Sequence, residues 1–307
     1  MEIRLHLSGL IAAPFSPMHE DGRIDLAAIE HYARLLAEAG VMGAFVCGST
    51  GESHSLSTQE RMQIAESWMK AAGPNLAVII QVGHNSLPEA RALAAHAQRI
   101  GAGAISAMAP SYFKPACVDD LIDFFAEIAA SAPILPFFFY DIPSMTGVNV
   151  SAREILEKSA ERIPTLAGIK FTNPNLMALQ ECLAFRSNDF TILFGIDEIL
   201  LSGLVFGCPG AVGSTYNYAA PVYHRIIRAF QSGDMAAARR EQLKSVELVH
   251  SLHEFGGLRA GKAIIAMMGM DCGPVRLPLR RMTVDETRAL YDRIHHLDIF
   301  SRPLTRP

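Results

Sequence analysis

The stretch ILPFFFYDIPSMTGVNVSAREILEKSAERIPTLAGIKFTN (134–173) reads as strand, helix, strand. Residues 134–140 and 166–171 are short apolar runs rich in β-branched and aromatic side chains. Between them, Ser151 stands before AREILEKSA as an N-cap before a helix-forming segment. Two strands joined by such a crossover lie parallel in one sheet. The same unit recurs in both directions along the chain. Further strand candidates are 10–15, 43–47, 77–82, 104–109, 191–195 and 211–214. Helix starts are marked by Asp25 before LAAIEHYARLLAEAG, by a Ser57–Glu60 capping box before RMQIAESWMKAAG, and by Ser86 before LPEARALAAHAQRIG. Gly40, Gly73 and Gly101 then follow the helical segments as C-terminal stops.

Eight consecutive β-then-α units fit either an open doubly wound sheet or a closed barrel. The count, at about 25 to 35 residues per unit, fits the barrel. The expected architecture is therefore α/β, a (β/α)8 TIM barrel over residues 1–232. Residues 233–307 carry helical patterns and no clear strand, and are expected to form a C-terminal helical extension packed on the barrel.

The composition narrows the function. Half of the 307 residues are apolar, 27 basic residues face 31 acidic ones, and the formal net charge is -4. No block of like charge suits nucleic acid or an anionic membrane, so a small molecule is the expected partner. Five scattered cysteines without a C-x-x-C pair read as reduced core thiols. The N-terminal run has no small-x-small cleavage site, and no apolar run approaches the about 20 residues that span a bilayer. A cytoplasmic location is expected.

Barrel chemistry gathers at the C-terminal ends of the strands. Strand alternation in AGIKFTN turns Ile169 and Phe171 outward and Lys170 and Thr172 inward. Burial in an apolar barrel drives a lysine toward its neutral, nucleophilic form, which can condense with a ketone. The other reading is a lysine paired or snorkelling at a strand edge. In PFFFYDIPSMTG the same alternation places Phe138 and Tyr140 inside, with Tyr140 beside Lys170 on the neighbouring strand. That tyrosine is either a proton-transfer group or one member of an aromatic cluster. The turn CGSTGES offers Ser49, Thr50 and backbone amides to a small anion, or is simply a tight βα turn. It lacks the Walker lysine and dinucleotide-fingerprint spacing, so nucleotide binding is not expected. In FGIDE and AVGSTYNY, Asp197, Glu198, Ser214 and Asn217 can hydrogen-bond a polyol. The Asp-Glu pair can equally serve as a helix cap. His250, His253, His295 and His296 show no metal-ligand spacing, so no metal is expected and these histidines are assigned no chemistry.

Five motifs occur in order: GSTGES (48–53), YDIPSMTG (140–147), GIKFTN (168–173), FGIDE (194–198) and GAVGSTYNY (210–218). Together they resemble the pyruvate-dependent class I aldolases of the dihydrodipicolinate synthase and N-acetylneuraminate lyase superfamily, over nearly the whole chain. The lyase branch is the closer match. The dihydrodipicolinate synthases carry an arginine two residues after the proline of the Y-x-x-P motif, whereas this chain has Met145.

The resemblance implies Lys170 as the Schiff-base amine, Tyr140 as the proton-transfer residue, and Ser49 with Thr50 as binders of the pyruvyl carboxylate. Thr172 would stand beside the imine. Gly195, Asp197, Glu198, Gly213 and Ser214 would contact the sugar chain. Tyr112 would reach a neighbouring subunit's site in a homotetramer. No cofactor is implied, because the covalent imine through Lys170 supplies the chemistry. Asp141 stands where asparagine or histidine is more usual, and a carboxylate close to the site would shift local pKa values or change the sugar preference. The expected reaction is cleavage of N-acetylneuraminate to N-acetylmannosamine and pyruvate. Dihydrodipicolinate synthase chemistry, another 2-keto-3-deoxy sugar acid, or a non-catalytic sensor of keto or sugar acids are the alternatives.

Overall fold

A computed structural model describes residues 7–159, 161–186 and 189–307. The first six residues of the N-terminal run and the last residue of AREILEKSA lie outside the described residues. Strands β1 (Gly9–Ala12), β2 (Gly43–Val46), β3 (Ala77–Gln81), β4 (Ala104–Met108), β5 (Phe137–Asp141), β6 (Leu166–Phe171), β7 (Thr191–Phe194) and β8 (Gly210–Gly213) pair in sequence order, and β8 closes on β1. All pairings are parallel, so this is the expected (β/α)8 barrel.

Helices alternate with the strands: α1 (Ala28–Glu38), α2 (Thr58–Ala72), α3 (Leu87–Arg99), α4 (Val118–Ala130), the short α5 (Pro143–Thr146), α6 (Ala152–Lys158), α7 (Leu176–Ala184), α8 (Leu200–Phe206) and α9 (Tyr216–Gln231). Three of the four start signals make side-chain bonds to their helix, whereas the Ser86 side chain makes no capping hydrogen bond. Ser57 and Glu60 form a reciprocal capping box, Ser151 accepts the Glu154 amide, and Asp25 accepts the amides of Ala27 and Ala28. After β8 and α9 come α10 (Met235–Glu254), α11 (Leu258–Met267) and α12 (Val284–Ile294), with no strand among the described residues of this stretch.

Strand alternation separates two cores. Phe45, Ile79, Phe138, Leu193 and Val212 fill the barrel interior, while Phe137, Phe139, Ile169 and Phe171 face the helices. On α4, Phe125 packs between Phe137 and Phe139, with ring centroids 5.5 and 5.3 Å away. Each such buried ring contributes about 1.5–3 kcal/mol of transfer free energy. No helix among the described residues is long and apolar enough to cross a membrane.

Three sequence expectations need adjustment. The fifth strand begins at Phe137 rather than at 134, because Pro133 and Pro136 lack ladder donors and Ile134 is exposed. The first strand ends at Ala12, since Pro14 ends the donor series after the Ala13 amide has bonded Gly213. Four cysteines are buried, but Cys117, at the N-terminus of α4, is exposed and not a core thiol.

Candidate active site

The strand ends surround a cavity of about 1070 Å³ at the C-terminal face of the barrel. Ser49, Thr50, Tyr140, Lys170, Thr172, Gly195, Asp197, Glu198, Gly213 and Ser214 all line it. Tyr112 does not. It is 79% exposed, stacked edge-on against the equally exposed Phe113 at 5.0 Å between centroids.

Lys170 is placed by register. It pairs with Tyr140 on one side and Leu193 on the other, and its side chain enters the barrel with 4% exposure. The amine sits over the Tyr140 ring, 3.5 Å from its centroid, and 4.5 Å from that of Phe45. Phe45 in turn meets Tyr140 edge-on at 5.3 Å. Burial lowers the Lys170 pKa. The hydrogen bond and charge of Tyr140, and more weakly the charge of Asp197, oppose that shift. The arrangement holds a buried amine, its pKa lowered by desolvation, next to a phenol.

The Tyr140 hydroxyl points toward the turn after β2, where Ser49 Oγ lies 3.4 Å away. This contact links the hydroxyl-bearing turn to the aromatic wall of the amine. Two residues beyond Lys170, on the same side of the chain, Thr172 presents a buried Oγ1 that has no hydrogen-bond partner among the described residues. Such a donor is costly to leave unmatched, which suits a ligand group at that point. Gly195 makes the space, because a Cβ there would collide with Thr172 Oγ1.

Asp197 opens the 3-10 turn Asp197–Ile199 after β7. Its Oδ2 accepts hydrogen bonds from the Thr215 amide at 2.9 Å and the Thr215 hydroxyl at 2.6 Å, and Thr215 Oγ1 also meets the Tyr223 hydroxyl at 2.7 Å. Asp197 is therefore bound to the β8 loop instead of capping its own turn. Burial pushes its carboxyl up to about 6, against the two Thr215 bonds that lower it. Gly213 is required beside it, since a Cβ at that position would strike the carboxylate. Glu198, half-buried, lines the same wall. Asn217, another polyol candidate, is committed elsewhere: its Nδ2 donates to the Ala13 and Ser214 carbonyls and its Oδ1 accepts from Tyr32.

Asp141 departs from the expectation that it acts close to the site. One residue beyond Tyr140, its side chain faces the other side of the strand, where Asn173 Nδ2 donates to it at 3.0 Å. Burial raises its carboxyl to about 6. Met145 lies at the cavity wall, 67% exposed.

Several lining residues carry no role in the reading of the sequence, although Glu52 and Tyr218 stand inside the motifs GSTGES and GAVGSTYNY. Tyr218 and Gly261 contribute from α9 and α11, and His253, whose spacing assigns it no chemistry, lines the cavity from the end of α10. Glu52 lines it from the β2 turn and is ion-paired with Lys262 on α11 at 2.9 Å. The packing of the C-terminal helices over the barrel mouth brings in His253, Gly261 and Lys262. Among the described residues, no group of three metal-ligating side chains gathers anywhere.

A buried lysine on β6, flanked by a phenol and facing a hydroxyl-rich turn at the C-terminal end of a closed barrel, defines a barrel protein built for carbonyl chemistry. The chain matches the dihydrodipicolinate synthetase family over residues 6–297 and belongs to that family. It is 41% identical to mouse N-acetylneuraminate lyase over 302 residues, spanning 97% of this chain and 94% of the relative. Among solved structures, N-acetylneuraminate lyase of Aliivibrio salmonicida superposes with a TM-score of 0.93 at 38% identity, covering 95% of this chain and 97% of that one. A catalytic-lysine mutant of Ruminococcus gnavus sialic acid aldolase superposes with a TM-score of 0.88 at 27% identity, covering 94% and 95%.

Proposed function

We propose that this chain is a Schiff-base aldolase that cleaves N-acetylneuraminate to N-acetylmannosamine and pyruvate. The observation that carries the reading is the buried Lys170 amine held 3.5 Å over the Tyr140 ring. Its family membership and the similarity to sialic acid lyases supply the substrate class.

In this reading Lys170 Nζ attacks the C2 ketone of the open-chain sugar acid, and loss of water leaves a protonated imine. Deprotonation of the C4 hydroxyl then breaks the C3–C4 bond, and the imine accepts the bonding pair. Tyr140, alone or through the substrate carboxylate, moves that proton, with Ser49 within reach of its hydroxyl. The enamine is protonated at C3, and hydrolysis frees pyruvate and restores the amine. Ser49 and Thr50 hold the carboxylate, Thr172 stands beside the imine, and Asp197, Glu198 and Ser214 bind the sugar hydroxyls. Gly195 and Gly213 keep the room that Thr172 and Asp197 need. The imine is its own electron sink, so the reaction calls for no cofactor or metal. Met145, without a charge, offers nothing to the second carboxylate of an amino acid semialdehyde. The exposed Tyr112–Phe113 pair fits a neighbouring copy's covering surface in a homotetramer.

The test is pyruvate release across N-acetylneuraminate, 2-keto-3-deoxygluconate and 2-keto-3-deoxyoctonate. N-Acetylneuraminate should be turned over best, and failure to release pyruvate from any of the three would refute the aldolase reading.

A further inference from the structure

The turn that carries Ser49 and Thr50 is bracketed by two non-glycine residues in the left-handed region, Cys47 and Glu52, each at φ 56. Such a conformation is unfavourable for a residue with a Cβ and persists only where the surroundings impose it. At Glu52 the surroundings are explicit. The carboxylate is almost wholly buried. Its Oε1 faces Lys262 Nζ at 2.9 Å, and its Oε2 accepts the Arg276 amide at 2.9 Å.

Lys262 is equally committed. Its ammonium also donates to the Ser16 carbonyl at 3.1 Å and the Pro274 carbonyl at 2.7 Å, and its side chain is 3% exposed. Ser16 returns to the turn by donating its hydroxyl to the Gly51 carbonyl at 2.7 Å. A single buried network thus joins α11 and the segment after it to the two residues that follow Thr50. Buried ion pairs rarely add net stability over apolar packing, so one set against a strained turn at a cavity wall invites a role in geometry.

Resting on the aldolase reading above, we propose that Glu52 and Lys262 are positioning residues for the keto-acid carboxylate. Their ion pair locks the turn so that Ser49 and Thr50 face Lys170, and through it the C-terminal helices set the affinity for pyruvate without entering the chemistry. Neither residue is assigned contact with the reacting atoms.

The experiment compares the wild type, Lys262→Met and the double variant Glu52→Asn/Lys262→Met. Asparagine tolerates the left-handed conformation but is too short to reach α11, and the double variant leaves no unpaired buried charge, so it should fold where the single variant does not. Each protein is titrated with pyruvate and trapped with borohydride, and its thermal midpoint is recorded. The half-saturating pyruvate concentration should rise tenfold or more in the double variant, with the adduct yield at saturation unchanged. An unshifted half-saturation, whatever happens to the thermal midpoint, would reduce the pair to a structural strut and overturn the proposal. Absence of adduct in the wild type would instead overturn the aldolase reading and this inference with it.

Discussion

Lys170 and Tyr140 are register partners on β6 and β5, and the lysine amine lies over the face of the tyrosine ring rather than beside an acidic group. A ring face stabilises an ammonium weakly compared with a carboxylate, so desolvation dominates and the amine is held below its usual range. The phenol hydroxyl bonds the amine and also lies 3.4 Å from Ser49 Oγ.

Replacing only that hydroxyl separates imine formation from bond cleavage. Tyr140→Phe keeps the packing against Phe45 and Lys170, so the pyruvate adduct should still form, while kcat for pyruvate release falls by about 100-fold or more. Near-normal kcat would leave Tyr140 as a packing residue and assign the proton to water or the substrate carboxylate.

Asp197 should govern the sugar rather than the keto acid. Loss of one buried hydrogen bond to a hydroxyl costs about 0.5–3 kcal/mol, so Asp197→Asn should raise KM for the sugar acid by up to roughly 100-fold. The half-saturating pyruvate concentration should barely move. Gly213→Ala should give the same pattern, because the added Cβ displaces the Asp197 carboxylate. Equal effects on sugar and pyruvate in both variants would contradict the assignment.

Asp141 offers a test that avoids the site. Its carboxyl is raised from 3.8 to about 6, so the folded protein binds the extra proton more tightly than the unfolded chain. The stability this group contributes is complete below about pH 4 and is lost as pH rises through about 6. Asp141→Asn should therefore raise the thermal midpoint at pH 7.5 by about 2 °C or more and give less gain at pH 4.5. Because the side chain faces away from Tyr140, kcat should stay within about twofold. Equal gains at both pH values would remove burial of the charge as the cause.

Met145→Arg introduces a bidentate cation at the exposed cavity wall. Cleavage of the sugar acid should weaken several-fold, and condensation of pyruvate with a carboxylate-bearing aldehyde should become detectable. Efficient dihydrodipicolinate synthesis by the unmodified protein would contradict the selectivity argument.

The barrel was legible because each strand is a continuous apolar run and most helices announce their starts. Alternation alone then placed Lys170, Tyr140 and Thr172 inside, since one residue's shift reverses every side chain on a strand. What alternation does not encode is the length of a loop or the docking of a distant helix. Nothing local in LRAGKAIIAMMGM marks Lys262 as the partner of Glu52, far earlier in the chain. His253 lines the cavity for the same reason: α10 ends at the barrel mouth, and no spacing rule reports that. Asp141 was misplaced by proximity in sequence, although the period that turned Tyr140 inward already turned its neighbour outward.

The central claim is that Lys170 is the amine that becomes covalently bound. Incubation with pyruvate and borohydride, followed by peptide mass analysis, should place a single reduced pyruvyl group on Lys170, with activity lost in proportion to labelling and no labelling in Lys170→Ala. A label on any other lysine, or normal turnover by Lys170→Ala, would contradict the account.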